Sequence, residues 1–424
     1  MKAAAAAAPR AVRRWEWLYP GIGVKRWVGL TVAGVLVFAF ALFVGIGAVR
    51  SYGILADYGL GFLRGRFFIT GLLVGGGAVL GILAAYLGLR GVIRFARAAP
   101  DVARIRSDAA LAKGPRVVAI GGGTGLAALL GGLKRGTSNL TAVVTVADDG
   151  GSSGLLRTDM GVLPPGDIRN CLVALADDES LLGRLFQYRF RDGDLQGHSF
   201  GNLYLAALAE VTGDFERAVQ ESTSVLKVRG RVLPATLEDV QLHAQLEGGE
   251  RVAGESSITA HERRPLRVWL SPEAPRPLPQ AIEAIARADL VVLGPGSLFT
   301  SVIPNLLIPG VCDALRATHA GVVYVCNVMT QPGETDGLSA ADHLEALYRH
   351  GASGLIDTVL VNDTPISGEL AEAYARQGAC PVDVDDRRLQ ELGVHVVHAP
   401  LAAGSNVFRH DPAQLSRAVL RLAR

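Results

Sequence analysis

The sequence lacks the patterns that define several large functional classes. Its four cysteines are scattered without the close spacing of a zinc or redox site, so they indicate a reducing compartment rather than a disulfide framework. The formal net charge is only +2 and no basic stripe alternates with aromatic residues, so nucleic acid is not an expected partner. No GxSxG nucleophile elbow, metal-ligand cluster or complete Walker A motif occurs in the 424 residues.

Long apolar runs are present near the N-terminus. Residues 27–49 and 67–88 contain no charged side chain, and each run is long enough to cross a bilayer as a helix. Gly75, Gly76 and Gly77 would let two such helices approach closely. The sequence therefore predicts a membrane hairpin of two transmembrane helices over residues 1–97.

The distribution of cations predicts the orientation of this hairpin. The loop carries Arg50, Arg64 and Arg66 with Asp57, whereas the outer flanks carry more cations: Arg10, Arg13, Arg14, Lys25, Arg26, Arg90, Arg94, Arg97, Arg104 and Arg106. Cytoplasmic flanks are enriched in Lys and Arg, so both ends are predicted to face the cytoplasm. The predicted location is the inner (cytoplasmic) membrane, with the rest of the chain in the cytoplasm.

The rest of the chain has the sequence pattern of an α/β domain. Residues 98–115 are rich in Ala and charge and predict a linker, which a helix could form. From residue 116 to 424, short apolar runs alternate with helical patterns, which is typical of βαβ units around a parallel sheet. The runs are 117–120, 142–146, 290–293, 322–326, 359–361 and 394–397. Alternation over 240–246, followed by Gly248-Gly249, predicts a small β-hairpin insertion.

A Gly-rich loop follows the first predicted strand. Gly122, Gly123, Thr124 and Gly125 lead into a helical pattern, where free N–H groups can face an anion. The spacing departs from the dinucleotide fingerprint, because the final Gly of GxGxxG falls on Leu126. The alternative interpretation is a tight strand-to-helix turn.

Two carboxylates follow the second predicted strand. Asp148 and Asp149 stand where a ribose-binding carboxylate occurs in dinucleotide-binding folds. They could instead hold Mg²⁺ against a diphosphate, which makes Mg²⁺ the one candidate cofactor. A solvated acidic turn is the third interpretation.

Two further helix starts carry polar groups. Gly166 and Asp167 open one helix, with Asp167 as a predicted N-cap. Arg169 and Asn170 lie in its first turn, where a cation is unfavourable unless it faces an anion, so Arg169 is a candidate phosphate clamp as well as a candidate surface arginine. His198, beside a Ser-capped helix start, is a candidate hydrogen-bond donor or acid–base group, and Asn202 is a candidate base or sugar contact.

A second Gly-rich turn repeats the geometry of the first. Gly294, Gly296 and Ser297 follow the strand at 290–293, and Asn327 follows the next one. Ligands of open α/β sheets bind beyond the carboxyl ends of strands, so two such turns predict a ligand with two polar ends, such as a diphosphate joined to a sugar.

The ordered segments GGGTGL, VTVADDGGSSGLLR, LPPGDIRNCLVALA, GHSFGNLYLAAL, LGPGSLFTSVIPNLL and VCNVMTQPGETDG resemble the YvcK-like gluconeogenesis factor family. That family is related to the CofD-like 2-phospho-L-lactate transferase of deazaflavin cofactor biosynthesis. The resemblance implies a Rossmann-like sheet, binding of a UDP-sugar such as UDP-N-acetylglucosamine, and a role in carbon use, cell-wall synthesis and cell shape. It also implies a pocket lined by Gly123, Thr124, Asp149, Arg169, Asn170, His198, Asn202, Gly296 and Ser297.

The resemblance leaves two functional hypotheses. The first is a non-catalytic, nucleotide-sugar-binding regulator held at the membrane, since no nucleophile and base pair is evident. The second is a Mg-dependent phosphate-ester transferase that uses Asp148, Asp149 and His198. The N-terminal hairpin is a departure from the soluble members of the family, and a homo-oligomer is left open by the sequence.

Overall fold

The structure is a computed structural model that describes residues 24–57, 64–176, 181–261, 263–404 and 407–423. It divides into two compact units, residues 1–107 and 108–424. The orienting cations Arg10, Arg13 and Arg14 lie outside the described residues, as do the side chains of Lys25, Asp57, Arg64, Arg66, Arg97, Arg104 and Arg106.

The first unit contains one long helix and most of a second, and each includes a long apolar run. They are α1 (Val24–Asp57) and α2 (Arg64–Leu111), so residues 98–111 of the predicted linker are helical. Within them, Arg26–Ser51 and Phe68–Arg94 are long and apolar enough to cross a membrane, which suggests membrane association.

The close approach of these two helices occurs at different glycines from those expected. A Cβ atom at Gly34 would collide with backbone atoms of Ala85 and Gly81, whereas one at Gly75 or Gly76 would meet nothing within 4 Å. Gly77 would make only an ordinary contact with Ala41. The prediction is therefore wrong for Gly75 and Gly76, which do not lie at the contact, while Gly77 contacts α1 without requiring glycine.

The second unit is built on a seven-stranded parallel sheet. The strands of the unit are β1 (Val117–Gly121), β2 (Leu140–Val144), β3 (Arg231–Pro234), β4 (Gln241–Leu246), β5 (Arg251–Ala253), β6 (Pro265–Ser271), β7 (Leu290–Leu293), β8 (Gly321–Val325), β9 (Thr358–Asn362), β10 (His395–Ala399), β11 (Ala402–Ala403) and β12 (Arg409–His410). β1, β2 and β7 are buried at every position, as expected of strands covered on both faces. The fold is a Rossmann-like α/β fold.

The helices that cover the sheet connect these strands. They are α3 (Gly123–Leu133), α4 (Gly151–Met160), α5 (Gly166–Leu175), α6 (Leu181–Gln187), α7 (Phe200–Thr212), α8 (Phe215–Leu226), α9 (Glu255–Ala260), α10 (Pro279–Ala286), α11 (Ile303–Leu306), α12 (Val311–Ala317), α13 (Ala340–Leu347), α14 (Gly368–Ala375), α15 (Asp386–Glu391) and α16 (Pro412–Leu422). Two π-helical turns occur at Leu298–Val302 and Tyr348–Ala352.

The strand order is β10-β9-β8-β7-β1-β2-β3. The chain runs outward from β1 through β2 to β3, and it then returns to the other side of β1 as β7. β1 and β7 therefore flank the point where the strand order reverses, which is where open α/β sheets bind their ligands.

The predicted hairpin insertion is a three-stranded antiparallel sheet, in the order β5-β4-β6. β4 alternates buried and partly exposed residues as predicted, and Gly248 and Gly249 turn the chain with positive φ. β6 was not predicted, because Arg267 and the adjacent Pro-rich stretch obscure its alternation. The short parallel strand β3, which ends in Pro234, was also not predicted.

Candidate functional site

The two Gly-rich turns meet at the carboxyl edge of β1 and β7. A Cβ atom at Gly125 would lie 2.7 Å from the carbonyl oxygen of Pro295, and one at Gly296 would lie 3.1 Å from that of Gly122. Neither residue can carry a side chain without moving backbone, so glycine is required for this approach. Gly294, with φ of +76°, makes the corresponding turn after β7.

A cleft of about 750 Å³ opens beside this contact, within the size range of small-molecule sites. The predicted residues that line it are Gly123, Thr124, Gly125, Asp148, Asp167, Gly296, Ser297 and Asn327. Asn327 donates from Nδ2 to the carbonyl oxygen of Gly296 at 2.8 Å, and Gln331 donates from Nε2 to Ser297 Oγ at 2.8 Å. These two bonds join the loop after β8 to the second Gly-rich turn.

The first turn already holds an anionic group of the protein. α3 begins at Gly123, which has φ of +68°, and Gly122 precedes it without a side-chain cap. The Asp167 carboxylate accepts a hydrogen bond from the Gly123 N–H, in the place where a ligand anion was expected. Thr124 and Gly125 follow in the first helical turn, whose N–H groups have no acceptor within a helix, and both line the cleft.

Asp167 is not the N-cap of its own helix, as had been predicted. α5 begins at Gly166 with Pro165 at the capping position, so Asp167 is its second residue and points towards α3. Burial raises its pKa to about 6, and the nearby Asp148 carboxylate adds to the increase. The Gly123 N–H and the Arg169 guanidinium act in the opposite direction.

The second Gly-rich turn also holds a carboxylate of the protein. Glu334 accepts from the backbone N–H groups of Phe299 and Thr300 at 2.7 and 3.2 Å, at the start of the π-helical turn after Ser297. Burial raises the pKa of Glu334 to about 7, although these hydrogen bonds lower it. The burial of Glu334 leaves no signal in the sequence, because its neighbours Pro332, Gly333 and Gly337 are typical of an exposed turn.

The adjacent carboxylates Asp148 and Asp149 engage different segments. Asp148 lines the cleft, and its Oδ1 accepts from the Gly150 N–H at 2.8 Å. Asp149 Oδ1 accepts from the Ser256 N–H at 2.8 Å, at the start of α9 in the insertion. Asp149 is thus absent from the cleft lining, and the predicted Asp148–Asp149 pair does not face one ligand.

The two carboxylates that could hold a metal ion in the cleft are Asp148 and Asp167, not the predicted pair Asp148 and Asp149. Across the described residues, no group of three or more His, Cys, Asp and Glu side chains could hold one. Asp148 and Asp167 both line the cleft and repel each other, so they could hold Mg²⁺ only with phosphate oxygens completing its coordination.

Glu255 completes an acidic wall that sequence reasoning missed. It lies at the start of α9 and lines the cleft, and burial together with Asp148 and Asp167 raises its pKa well above the ordinary range. It comes from the insertion, more than fifty residues after the predicted motif at His198 and Asn202, so only the fold brings it to the site.

A second polar cluster, which is not part of the cleft lining, contains four further predicted residues: Arg169, Asn170, His198 and Asn202. Asn202 Nδ2 donates to Ser152 Oγ at 3.1 Å, and His198 Nδ1 lies 3.2 Å from the same oxygen. Arg169 donates to Ser199 Oγ and, at 2.6 Å, to Asn170 Oδ1.

Arg169 is buried in this cluster rather than lying on the surface. It is only 9% exposed, and burial lowers its pKa, although Asp167 and Asp148 oppose that change. Among the described residues, Arg169 Nε and Asn202 Oδ1 are buried without a hydrogen-bond partner. The cluster is therefore coupled electrostatically to the cleft, through Asp167 and Asp148, without opening into it.

The far end of the cleft is apolar and was not predicted. Its walls come from the loop after β8, from α14 and from the β11–β12 hairpin: Val328, Met329, Leu370, Ala373, Tyr374, Val407 and Phe408. Arg409 and His410 of β12 also line the cleft. These segments are short and lack a Gly-rich signature, which explains why sequence patterns did not identify them.

Comparison with known proteins agrees with this architecture. A family model described as 2-phospho-L-lactate transferase CofD matches residues 117–402. The putative gluconeogenesis factor of Nostoc sp. is 46% identical over 424 aligned positions, which cover 97% of this chain and 93% of the relative. The gluconeogenesis factor of Bacillus subtilis is 50% identical and covers 73% of this chain and 98% of its own length. The crystal structure of a UPF0052 family member from Bacillus halodurans is 50% identical, with a TM-score of 0.71, and covers 73% of this chain and 99% of that one.

The parallel sheet, the paired Gly-rich turns and the matched family model define an α/β protein with a CofD-like domain. Within that class, the chain belongs to the gluconeogenesis factor family. The Nostoc alignment includes most of the N-terminal region. The hairpin region is therefore shared with a relative and is not the departure from the family that the sequence alone suggested.

Proposed function

We propose that this protein is a membrane-associated regulator whose α/β domain binds a nucleotide-sugar, with UDP-N-acetylglucosamine as the first candidate. In this role it would link central carbon metabolism to cell-wall synthesis and cell shape. The observation that carries the proposal is the cleft between the Gly123 and Gly296 turns, at the reversal point of a parallel sheet. Its polar and apolar ends suit a ligand that has both kinds of group.

A binding role is favoured over catalysis by the relatives that the chain matches, which are named gluconeogenesis factors. In the cleft, Ser297 Oγ accepts from the Gln331 amide and also bonds the Glu334 carboxylate. A Ser nucleophile needs an adjacent base within hydrogen-bond reach. Glu334 already accepts from the N–H groups of Phe299 and Thr300 at the second turn, which favours a structural role for this carboxylate and recognition of a ligand by the cleft.

The proposed site of action is the cytoplasmic face of the membrane, where cell-wall precursors are used. The two apolar helices provide the tether, and the cations that flank them favour a hairpin with both ends in the cytoplasm. Single cysteines placed in the α/β domain and in the loop at 58–63, labelled with an impermeant thiol reagent on intact cells, test this orientation. Labelling of the α/β domain from outside would contradict it.

Isothermal titration of the full chain in detergent with UDP-N-acetylglucosamine tests binding directly, with and without Mg²⁺. Thr124→Val keeps the shape of a cleft-lining residue and removes its hydroxyl, so it should weaken binding. Thr158→Val on the exposed side of α4 is the matched control and should bind as the wild type does. No heat at millimolar ligand would reject this ligand.

A second candidate is a Mg-dependent transferase of the phospholactate type, acting on a nucleotide-activated donor. It is favoured by the carboxylates of Asp148, Asp167 and Glu255 on one wall, and by the CofD family model. Asp148 and Asp167 would hold the ion, which would neutralise phosphate charge. Product formed from an activated donor, and lost in Asp148→Asn, would establish catalysis; metal-independent binding without product would exclude it.

A further inference from the structure

The amino edge of the parallel sheet, opposite the cleft, carries an excess of positive charge. The loops that lead into β1, β2 and β7, together with the loop and first residue of β3, contain eight Lys and Arg residues and one carboxylate, Asp289. These eight cations are Lys113, Arg116, Lys134, Arg135, Lys227, Arg229, Arg231 and Arg287. The carboxyl edge has the opposite character, since Asp148, Asp167 and Glu255 line the cleft there. The α/β unit therefore has a basic edge and an acidic edge.

A second cavity, of about 460 Å³, opens at the basic edge. Three arginines line it: Arg116 before β1, Arg231 at the start of β3 and Arg287 after α10. Among the described residues, none lines both this cavity and the cleft. The basic edge thus has a polar cavity of its own, separate from the candidate functional site.

The arginines of this cavity are available to an outside anion. Arg116 pairs with Asp289 at 2.6 Å, and both side chains are exposed. Arg287 pairs with Glu283 at 2.8 Å, again with both side chains exposed. Exposed pairs of this kind are weak, because water screens them. Arg231 is exposed and has no ion-pair partner in the described part of the chain, and a guanidinium can bind a phosphate group with two parallel hydrogen bonds.

The chain enters the α/β unit at this same edge. The Ser138 N–H, in the loop before β2, donates to the Leu111 carbonyl oxygen at 3.1 Å. Arg229, in the loop before β3, pairs with Asp108 at 3.3 Å. The segment that arrives from the apolar helices is therefore attached to the basic edge and not to the acidic one.

The connection to the second apolar span is short. That span ends at Arg94 and the α/β unit begins at Asp108, so residues 95–107 connect them. These residues belong to α2, and a helical segment of that length is about 20 Å long. The attachment point of the basic edge is thus limited to a short distance from the end of the span.

We propose that the basic edge binds anionic phospholipid headgroups of the cytoplasmic leaflet, with a headgroup phosphate in the cavity lined by Arg116, Arg231 and Arg287. That leaflet is negatively charged, and each Lys or Arg at its surface strengthens binding about fivefold. The inference rests on the membrane association within the proposed function, but it does not depend on the ligand of the cleft. With the basic edge on the headgroups, the cleft at the acidic edge stays open to the cytoplasm.

The lysines provide a direct readout, because all three lysines of the α/β unit lie at the basic edge. Lys113 and Lys227 are exposed, whereas Lys134 is buried. The full chain is placed in nanodiscs of phosphatidylcholine with or without phosphatidylglycerol, and brief acylation by an amine-reactive reagent is quantified by mass spectrometry. Phosphatidylglycerol should slow the acylation of Lys113 and Lys227 at least about fivefold.

A reporter lysine away from the basic edge separates headgroup binding from a general effect of the lipid. Arg191→Lys introduces it at an exposed position in the loop that carries His198, which lies 3.2 Å from Ser152 after the carboxyl end of β2. Its acylation should be equally fast in both kinds of nanodisc. Equal slowing of this reporter would overturn the assignment to the basic edge.

Substitution of one arginine tests the cavity itself. Arg231→Gln removes a cation that no carboxylate of the described chain holds, so the slowing of Lys113 and Lys227 acylation should fall about fivefold. Arg191→Gln removes an exposed arginine outside the edge and is the matched control, which should keep the full slowing. Full slowing in Arg231→Gln would overturn the role of the cavity.

Two measurements on the wild type do not depend on a variant folding. Sodium chloride at about 0.5 M should remove the slowing, because the Debye length falls to about 4 Å. Glycerol phosphate added to nanodiscs of pure phosphatidylcholine should not reproduce it. Slowing that persists in high salt would contradict electrostatic binding, and slowing by glycerol phosphate alone would assign the cavity to a free phosphate ester instead of a lipid.

The outcomes also separate this inference from the proposed function. Equal acylation rates in the two lipid mixtures, with the chain retained in the nanodiscs, would overturn headgroup binding and leave membrane association intact. A full chain that does not enter nanodiscs would overturn both.

Discussion

The Glu334 carboxylate provides a test of how the second Gly-rich turn is built. Its pKa lies at about 7 in the folded protein against an ordinary 4.5, because burial disfavours the ionised form. The folded state binds the Glu334 proton more tightly than the unfolded state does. The contribution of this proton to the free energy of unfolding is therefore fully present below about pH 4.5 and is lost as pH rises to about 7. Each pKa unit corresponds to about 1.4 kcal/mol, so this loss amounts to about 3 kcal/mol.

Glu334→Gln removes the ionisation and keeps a carbonyl oxygen that can accept from Phe299 and Thr300. The added amide N–H has its own burial cost, which is the same at every pH. The difference in free energy of unfolding between the variant and the wild type should therefore move in favour of the variant by about 3 kcal/mol between about pH 4.5 and pH 8.

Guanidinium titration of the full chain in detergent, followed by circular dichroism, measures this difference. Glu221→Gln, at an exposed position on α8, is the matched control and should change stability by less than about 0.5 kcal/mol. A difference between Glu334→Gln and wild type that stays constant with pH would refute the assignment of a buried, proton-binding carboxylate at this turn.

The other predictions concern the cleft and are measured by titration calorimetry with UDP-N-acetylglucosamine. Arg409 is the one arginine or lysine among the cleft-lining side chains of the described chain, so Arg409→Gln should weaken binding about tenfold; unchanged affinity would remove it from the phosphate site. Without Mg²⁺, affinity should rise as pH falls through about 6, because protonation of Asp167 removes a negative charge, and Asp167→Asn should abolish that dependence. Asp148→Asn should alter any dependence of the ligand affinity on Mg²⁺. Asp149→Asn should leave that dependence intact, but it should lower the free energy of unfolding by about 1 kcal/mol, because the hydrogen bond from the Ser256 N–H is weakened.

The sheet could be predicted from sequence wherever burial on both faces leaves an uninterrupted apolar run. β7 has the predicted bounds and β1 extends by one residue. β2 was placed two residues too late, because Thr145 to Ala147 remain buried after the strand ends and continue its apolar pattern. β3 and β6 carry Pro and Arg, which conceal their pattern although tertiary pairing makes them strands.

The site was predictable only in the parts that are contiguous in sequence. Glycines that must approach backbone leave a local signature, and those of both turns were identified. The sequence does not show in which direction a carboxylate points. Asp167 was therefore predicted to cap its own helix, although it accepts from the Gly123 N–H at the start of α3. Glu255 and Tyr374 reach the cleft from separate segments, and Glu334 reaches the second turn from the loop after β8, so the roles of all three depend on the fold alone.

Two helices that are far apart in the sequence, α3 and α16, pack together behind the first Gly-rich turn. α3 begins at that turn, and α16 packs so closely on α3 that a side chain at Gly132 would collide with the Pro412 carbonyl. During synthesis, the glycines of the turn emerge long before the helix that braces them. A ribosome-bound intermediate that ends before α16 would hold every glycine of the turn and still lack the helix that packs against α3.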